Sequence, residues 1–336
     1  MDYGCGIVRP QKIEIWFFEQ GCVVSRNSLI DGSAIRTREV ALGCWAFGGH
    51  GYGEVDDDTS IATIEAAVDF GLTCIDTSPV YGQGHSEKIV GEALRRLGHR
   101  ADNVSVITKC GFAWDGNGKP YADNSVSNLQ KSIHQSLSRL GVDRIDFLLL
   151  HRYDGQTPFD RIFQTLERFV ESGNVAAYGL CNWEECKADL IDLPPGLSML
   201  QSKYNLLQSQ NLALLKAAKN RGAINIVYDV LARGLFTGKY SKASQFSAND
   251  TRSNDFYFRK ENIDRHLRLT ERMVAVAKEL EVSPSSVAIA WALEQPEIDI
   301  ALVGAKTPTQ VLANMSAREL VLPHEMMRFI EGDCDV

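Results

Sequence analysis

Four side chains suited to proton transfer stand at or just beyond the ends of apolar runs. Asp76 closes LTCI, Tyr81 follows on a glycine-containing loop, Lys109 closes VSVIT, and His151 follows IDFLLL. A free phenol titrates at about 10, too high for ready proton exchange near neutrality. A lysine ammonium beside it favours the phenolate and pulls that value down, and an aspartate holds the ammonium charged and aimed. A histidine bonded to a carbonyl oxygen would fix that oxygen in place. Such a set would let Tyr81 act as the acid in carbonyl reduction and as the base in alcohol oxidation. Taken singly, each residue has a plainer role as a turn or helix cap, a solvated cation or a satisfied polar group. Their coincidence at neighbouring strand ends carries the reading.

Those strand ends need a frame. Residues 39–47 read as a first strand and GGHGYG as a loop, followed by a helix over 57–70 with Ile61, Ile64, Ala67 and Val68 on one face. A strand over 72–75 ends in Asp76, and the next helix, 86–97, starts where Ser86 can cap it. A strand over 104–109, the long loop CGFAWDGNGKPYADNS and a helix over 126–140 closed by Gly141 come next. Residues 145–150 predict a strand, 158–172 a helix, and 175–180, 198–204 and 224–228 three more strands. Helices over 264–281 and 284–294 precede a last strand over 300–303 and a helix over 308–315.

Eight strands alternating with helices predict parallel crossover units. A doubly wound open sheet shares that alternation, but strand count and length favour an α/β fold of the closed (β/α)8 TIM-barrel kind. Residues 232–263 break the rhythm as a long polar loop, which predicts a functional segment over the site. Residues 1–27 do not fit the repeat and are expected to be an N-terminal extension ahead of one barrel domain over 28–336.

Composition excludes several classes. The 336 residues carry 43 acids against 35 bases, a net charge of -8, with no basic cluster, so a nucleic-acid surface is not expected. The eight cysteines are scattered without a CxxC pair and several lie in apolar runs, the pattern of reduced core thiols, so no metal is expected. No apolar run is long enough to span a bilayer, and residues 12–24 lack the flanks of a secretory signal. A soluble cytoplasmic protein is the expectation, as a monomer or homo-oligomer.

No GxGxxG follows a strand, and the GK pair in GLFTGKY has the wrong spacing for a phosphate-binding P-loop. The segments IDTSPVYGQGHSEKIVGEAL, VITKCG, LLLHRYD, YGLCNW, QSKYNLLQ, YDVLARGLFTGKY and VGAKTPTQVLAN, in this order, resemble the aldo-keto reductase superfamily from about residue 28 to about 323. With GCWAFGG near the start, the chain looks most like the bacterial and plant branch that includes the potassium-channel β subunits.

The resemblance implies an NADPH-dependent carbonyl reductase with Asp76, Tyr81, Lys109 and His151 as its catalytic tetrad. Its cofactor would lie across the barrel mouth, with Cys181, Asn182 and Gln201 at the nicotinamide carboxamide and Tyr228 stacked on the ring. Leu231, Ala232, Arg233 and Lys239 would wrap the pyrophosphate, and Gly304, Lys306, Gln310 and Asn314 would surround the adenosine phosphate at a helix start. The cation of Lys306 favours NADPH over NADH. Trp45 would sit near nicotinamide and substrate, and Trp45, Tyr81, Trp114 and His151 would line a pocket for small carbonyls or alcohols, aromatic or sugar among them. The chain departs from the family pattern with Cys181 in place of serine, Asp229–Val230 in place of Ser-Pro, and Ala313 where an acid often meets adenine. Two other readings stand beside this one: a cofactor-retaining sensor of the channel β-subunit type with little turnover, and a barrel enzyme forming a Schiff base on Lys109.

Overall fold

The computed structural model describes residues 39–49, 55–183, 193–194, 196–247 and 250–332. The expected extension over 1–27, the domain start at 28 and most of the GGHGYG loop lie outside the described residues, as do Cys5, Cys22, Cys186 and Cys334.

The strands are β1 (Glu39–Gly43), β2 (Cys74–Asp76), β3 (Ser105–Cys110), β4 (Phe112–Trp114), β5 (Pro120–Ala122), β6 (Ile145–Leu150), β7 (Val175–Cys181), β8 (Met199–Lys203), β9 (Ile224–Tyr228) and β10 (Ile300–Gly304). All but β4 and β5 pair in parallel and close a barrel in the order β1-β10-β9-β8-β7-β6-β3-β2. The barrel is sealed by β1, which pairs β2 through Leu42–Ile75 and β10 through Leu42–Val303.

The strands read as unbroken apolar runs because both of their faces are buried. Along β6, Phe147 and Leu149 join Ile107, Ile226 and Ile300 inside the barrel, while Leu148 and Leu150 belong to the larger core under the helices. That alternation is the two-residue period of a barrel strand.

The helices are α1 (Asp57–Asp69), α2 (His85–Leu97), α3 (Val126–Leu140), α4 (Phe159–Glu171), α5 (Leu212–Lys219), α6 (Ile263–Glu279), α7 (Pro284–Leu293), α8 (Pro308–Met315) and α9 (His324–Glu331). Their ends follow local chemistry. Asp56 caps α1 and Ser125 caps α3, each accepting from a backbone N–H three residues on, and Gly141 ends α3 in the left-handed region at φ 68°.

Three local expectations are corrected. The first strand stops at Gly43, because the Cys44 N–H turns to the Asp76 carbonyl (2.9 Å) and residues Trp45–Gly48 coil into a 3-10 turn on the barrel rim. Ser86 does not cap α2, whose cap is Gly84 at φ 90°; its buried hydroxyl instead donates to the Cys44 carbonyl (2.9 Å) and meets the Thr77 hydroxyl (2.8 Å). The loop after β3 contains the β4–β5 hairpin. At the carboxyl end α9 packs against α6 on the outside of the barrel, tied by Trp291 Nε1 to Glu331 Oε1 at 2.8 Å.

No helix among the described residues is long and apolar enough to cross a membrane. None of their His, Cys, Asp and Glu side chains group to hold a metal ion.

Candidate active site

Parallel closure puts every strand's carboxyl end on one rim, so Asp76, Lys109 and His151 meet although β2, β3 and β6 are far apart in sequence. Asp76 Oδ1 accepts from Lys109 Nζ at 2.6 Å, and both side chains are only 1% exposed. The same ammonium donates to the Thr77 carbonyl (3.0 Å) and to Tyr81 Oη (3.3 Å), which occupies all three of its protons. Its position is therefore over-determined.

His151 stands edge-on to Tyr81, with ring centroids 6.1 Å apart at 90°. Its Nδ1 lies 3.1 Å from Ser78 Oγ, and that hydroxyl also accepts from the Val80 N–H (3.3 Å). Ser78 thus pins the Nδ1 side of the ring, and His151 lines the cavity.

Electrostatics refine the expectation. Burial pushes the Tyr81 phenol up; Lys109 pulls it down, yet burial wins, so the net lowering expected from the ammonium does not occur here. Burial opposes the charge on Lys109, and Asp76 with Tyr81 overrules it to hold the ammonium charged. His151 is driven well below its ordinary 6.5, first by burial and then by the cations Lys109 and Arg152, so it is neutral.

The wall opposite is one run of hydrogen bonds. Tyr228 Oη donates to Asn182 Oδ1 (2.6 Å), and Asn182 Nδ2 reaches the His151 carbonyl (3.0 Å) and Cys181 Sγ (3.2 Å). The Cys181 thiol donates to Gln201 Oε1 (3.4 Å), and Gln201 Nε2 donates to Asp76 Oδ2 (2.7 Å).

Beyond β9 the backbone turns left-handed at Asp229, Ala232, Arg233 and Gly234. Asp229 holds this turn: it accepts from the Arg233 N–H (3.0 Å) and from Tyr257 Oη (2.8 Å), with Lys203 Nζ at 3.6 Å. Burial raises its carboxyl above the ordinary value, and Arg233 and Lys203 oppose that rise. The Arg233 guanidinium lies over the Trp45 ring at 4.9 Å. On the far side, Thr307 caps α8, the Lys306 N–H donates to Gln310 Oε1 (2.9 Å) and Asn314 Nδ2 to the Gly304 carbonyl (3.3 Å).

A cavity of about 960 Å³ runs from the Tyr81–His151 pair to the start of α8. Of the residues singled out in the sequence, Trp45, Asp76, Tyr81, His151, Cys181, Asn182, Gln201, Tyr228, Leu231, Arg233, Lys239, Gly304, Lys306, Gln310 and Asn314 line it. Three do not: Lys109 sits behind Asp76 and Tyr81, Ala232 is buried within the left-handed turn, and Trp114 pairs with Pro120 in the β4–β5 hairpin. Phe112, two residues earlier on the same strand, takes a place on the wall and packs edge-on to His151 at 5.0 Å. From the loop over 232–263, Arg233, Gly234, Thr237, Lys239, Tyr240 and Arg252 reach the cavity. Sequence reasoning missed Ser78, Thr77, Lys203 and Tyr257. No local signal separates these from ordinary polar residues, because each acts on a partner brought up by the fold.

Comparison with known proteins agrees with this fold. The family model described as the aldo/keto reductase family matches residues 39–332. Aldo-keto reductase YhdN of Bacillus subtilis is 34% identical over 84% of this chain and 86% of its own length. The NADH-specific methylglyoxal reductase of Escherichia coli is 31% identical over 86% and 92%, and a probable voltage-gated potassium channel subunit beta of Oryza sativa subsp. japonica 28% over 86% and 90%. Among solved structures, the glycerol dehydrogenase AKR11B4 from Gluconobacter oxydans superposes with a TM-score of 0.79 at 34% identity, covering 87% of this chain and 90% of that one. With a family model spanning residues 39–332 and relatives at 34% identity matched over more than four fifths of both chains, the chain belongs to the aldo/keto reductase family of oxidoreductases.

Proposed function

We propose that the chain is an NADPH-dependent reductase of aldehydes and ketones with Tyr81 as its proton donor. The observation that carries this reading is the Asp76–Lys109–Tyr81 chain at the floor of the cavity, with a neutral His151 beside it.

The cofactor fits the residues present. The cavity is long, its far half is lined by the cations Arg233, Lys239, Arg252 and Lys306, and its near half carries the Asn182 and Gln201 amides and the Tyr228 ring. Asn182 and Gln201 would hold the carboxamide, Tyr228 the ring face, Leu231 to Arg233 with Lys239 the pyrophosphate, and Gly304, Lys306, Gln310 and Asn314 the adenosine end. Lys306 favours the extra phosphate of NADPH. When bound, NADPH supplies the hydride.

The chain's own residues do the rest. The His151 Nε2–H donates to the carbonyl oxygen, and the Tyr81 Oη proton moves to that oxygen as it becomes an alkoxide, a far stronger base than a phenolate. The raised phenol keeps its proton until that moment. Lys109 then stabilises the phenolate, and in alcohol oxidation the same proton returns to Tyr81.

Trp45 and Phe112 on the wall suit substrates with a flat or sugar-like face, and the likeness to a glycerol dehydrogenase supports hydroxylated ones. A Schiff base on Lys109 needs a neutral, reachable amine, and this ammonium is buried and held by three acceptors. The likeness to channel β subunits supports the sensor alternative of retained NADPH with slow turnover.

NADPH oxidation with a generic aldehyde, run for wild type and Tyr81→Phe with NADH for comparison, tests the reading. Turnover should fall roughly 10²–10⁴-fold in the variant while NADPH binding persists. Tight NADPH binding without turnover in the wild type would establish the sensor instead.

A further inference from the structure

We propose that Gln201 is a positioning residue for the reaction: its single amide occupies the second Asp76 oxygen, so that Lys109 meets Asp76 through one oxygen and stays bonded to Tyr81, and it ties the Cys181–Asn182 wall to the proton donor. The proposal rests on the reductase reading of the site and goes beyond the carboxamide-holding role that resemblance assigns to Gln201.

Asp76 has two oxygens and is 1% exposed. Oδ1 takes the Lys109 ammonium at 2.6 Å and Oδ2 takes Gln201 Nε2 at 2.7 Å. An ionised carboxylate only accepts, so the amide must present its NH2 to Asp76, and its carbonyl is thereby turned to the Cys181 thiol. Gln201 is itself only 2% exposed.

The ionisable groups around Asp76 are Lys109 from β3, Tyr81 from the loop after β2, Cys44 from the end of β1 and Cys74 on its own strand, and Cys181 from β7 faces Lys109 and Tyr81. Gln201 donates from the opposite side to Lys109. Remove it, and the bare Oδ2 draws the ammonium toward a two-oxygen contact. The bond that gives way is the longest one Lys109 makes, at 3.3 Å to Tyr81 Oη. Loss of Gln201 is therefore read out at the proton donor, across the site from the amide.

The test compares wild type with Gln201→Met, which keeps the volume without a donor, Gln201→Glu, Asp76→Asn and the Gln201→Met/Asp76→Asn double variant. NADPH affinity is read from cofactor fluorescence, the hydride-transfer rate from single turnovers at saturating NADPH, and folding from the unfolding midpoint. In Gln201→Met the saturating rate should fall about 10- to 100-fold, and adding the same change to Asp76→Asn should cost nothing more. Gln201→Glu should recover rate as pH falls, since a protonated carboxyl can again donate to Oδ2; this arm decides the matter if the methionine variant does not fold.

A saturating rate within about twofold of wild type with only NADPH affinity weakened, losses that add fully in the double variant, or a Gln201→Glu rate that does not rise on acidification would each overturn the proposal. A wild type that binds NADPH and reduces no carbonyl overturns the reductase reading, and this proposal with it. That outcome is distinct from an active enzyme indifferent to Gln201.

Discussion

The rings of Trp45 and Tyr81 lie nearly parallel, 5.9 Å apart at 6°, because two glycines let their loops touch. A Cβ on Gly48 would stand 2.6 Å from the Tyr81 carbonyl carbon, and one on Gly82 2.3 Å from the Gly48 oxygen. Gly48→Ala must therefore push the Trp45 turn away from the Tyr81 loop. The expected result is a stability loss of about 1–3 kcal/mol and a fall in turnover larger than the fall in NADPH affinity. Melting curves with steady-state kinetics check both; an alanine variant with wild-type turnover would show that the loop contact does not position Tyr81.

Ser78 orients His151. Its hydroxyl accepts from the Val80 N–H (3.3 Å) and lies 3.1 Å from Nδ1, holding that edge of the ring. Ser78→Ala should lower kcat/KM by about tenfold while NADPH affinity stays level. A variant matching wild type would mean that the Phe112 packing alone orients the ring.

Asp229 carries two separable contributions. Its charge is set against Arg233 and Lys203, and its oxygens anchor the left-handed turn through the Arg233 N–H and Tyr257. Asp229→Asn keeps an acceptor and removes one negative charge beside Lys203 and Arg233, while Asp255 still pairs Arg233 at 3.5 Å, so NADPH should bind several-fold tighter with a steeper salt dependence. Asp229→Ala also removes the anchor, leaves the Tyr257 hydroxyl unpaired on that side, and should cost roughly 1–3 kcal/mol of stability. Titration at two ionic strengths distinguishes the two; weaker binding in the asparagine variant would refute the charge-balance account.

Stability should peak between about pH 6.5 and 9. His151 and His266 are held below the ordinary 6.5, chiefly by burial, so below that value the unfolded chain takes up protons that the folded one refuses and stability falls. Cys44 and Cys74 are held well above 9.0 by burial and Cys110 is raised to about 12, so as pH climbs past 9.0 the unfolded chain loses protons first and stability falls again. Each fully shifted group contributes up to about 1.4 kcal/mol per pH unit. Thermal unfolding midpoints across this range read it directly, and a midpoint that stays level from pH 6.5 to about 5 would contradict the acid limb.

Much of the frame was legible where local chemistry decides it. The helix over 126–140 has its serine cap and its glycine stop, and the strands 145–150 and 224–228 lie where their apolar runs lie. Residues 45–47 misled for a physical reason: Ala46 and Phe47 are apolar because a coiled rim turn buries them, and a buried turn has the same composition as a buried strand. Asp76, Tyr81, Lys109 and His151 were legible for the same reason as the fold, since parallel strands of a closed barrel deliver their carboxyl ends to one rim; Asn182, Gln201, Tyr228 and the residues of 231–239 and 304–314 were reached only through the family resemblance.

The element order, the barrel and the residue types at each strand end are properties of the sequence alone, because they follow from periodicity, capping and strand count. The tertiary structure decided the pairings and the balance of forces. Gln201 meets Asp76 across 125 residues and Ser78 meets His151 across 73, distances over which no local pattern operates. Whether Tyr81 is raised by burial or lowered by its ammonium is a contest between two opposed effects, and only the packed surroundings of the phenol determine which is larger.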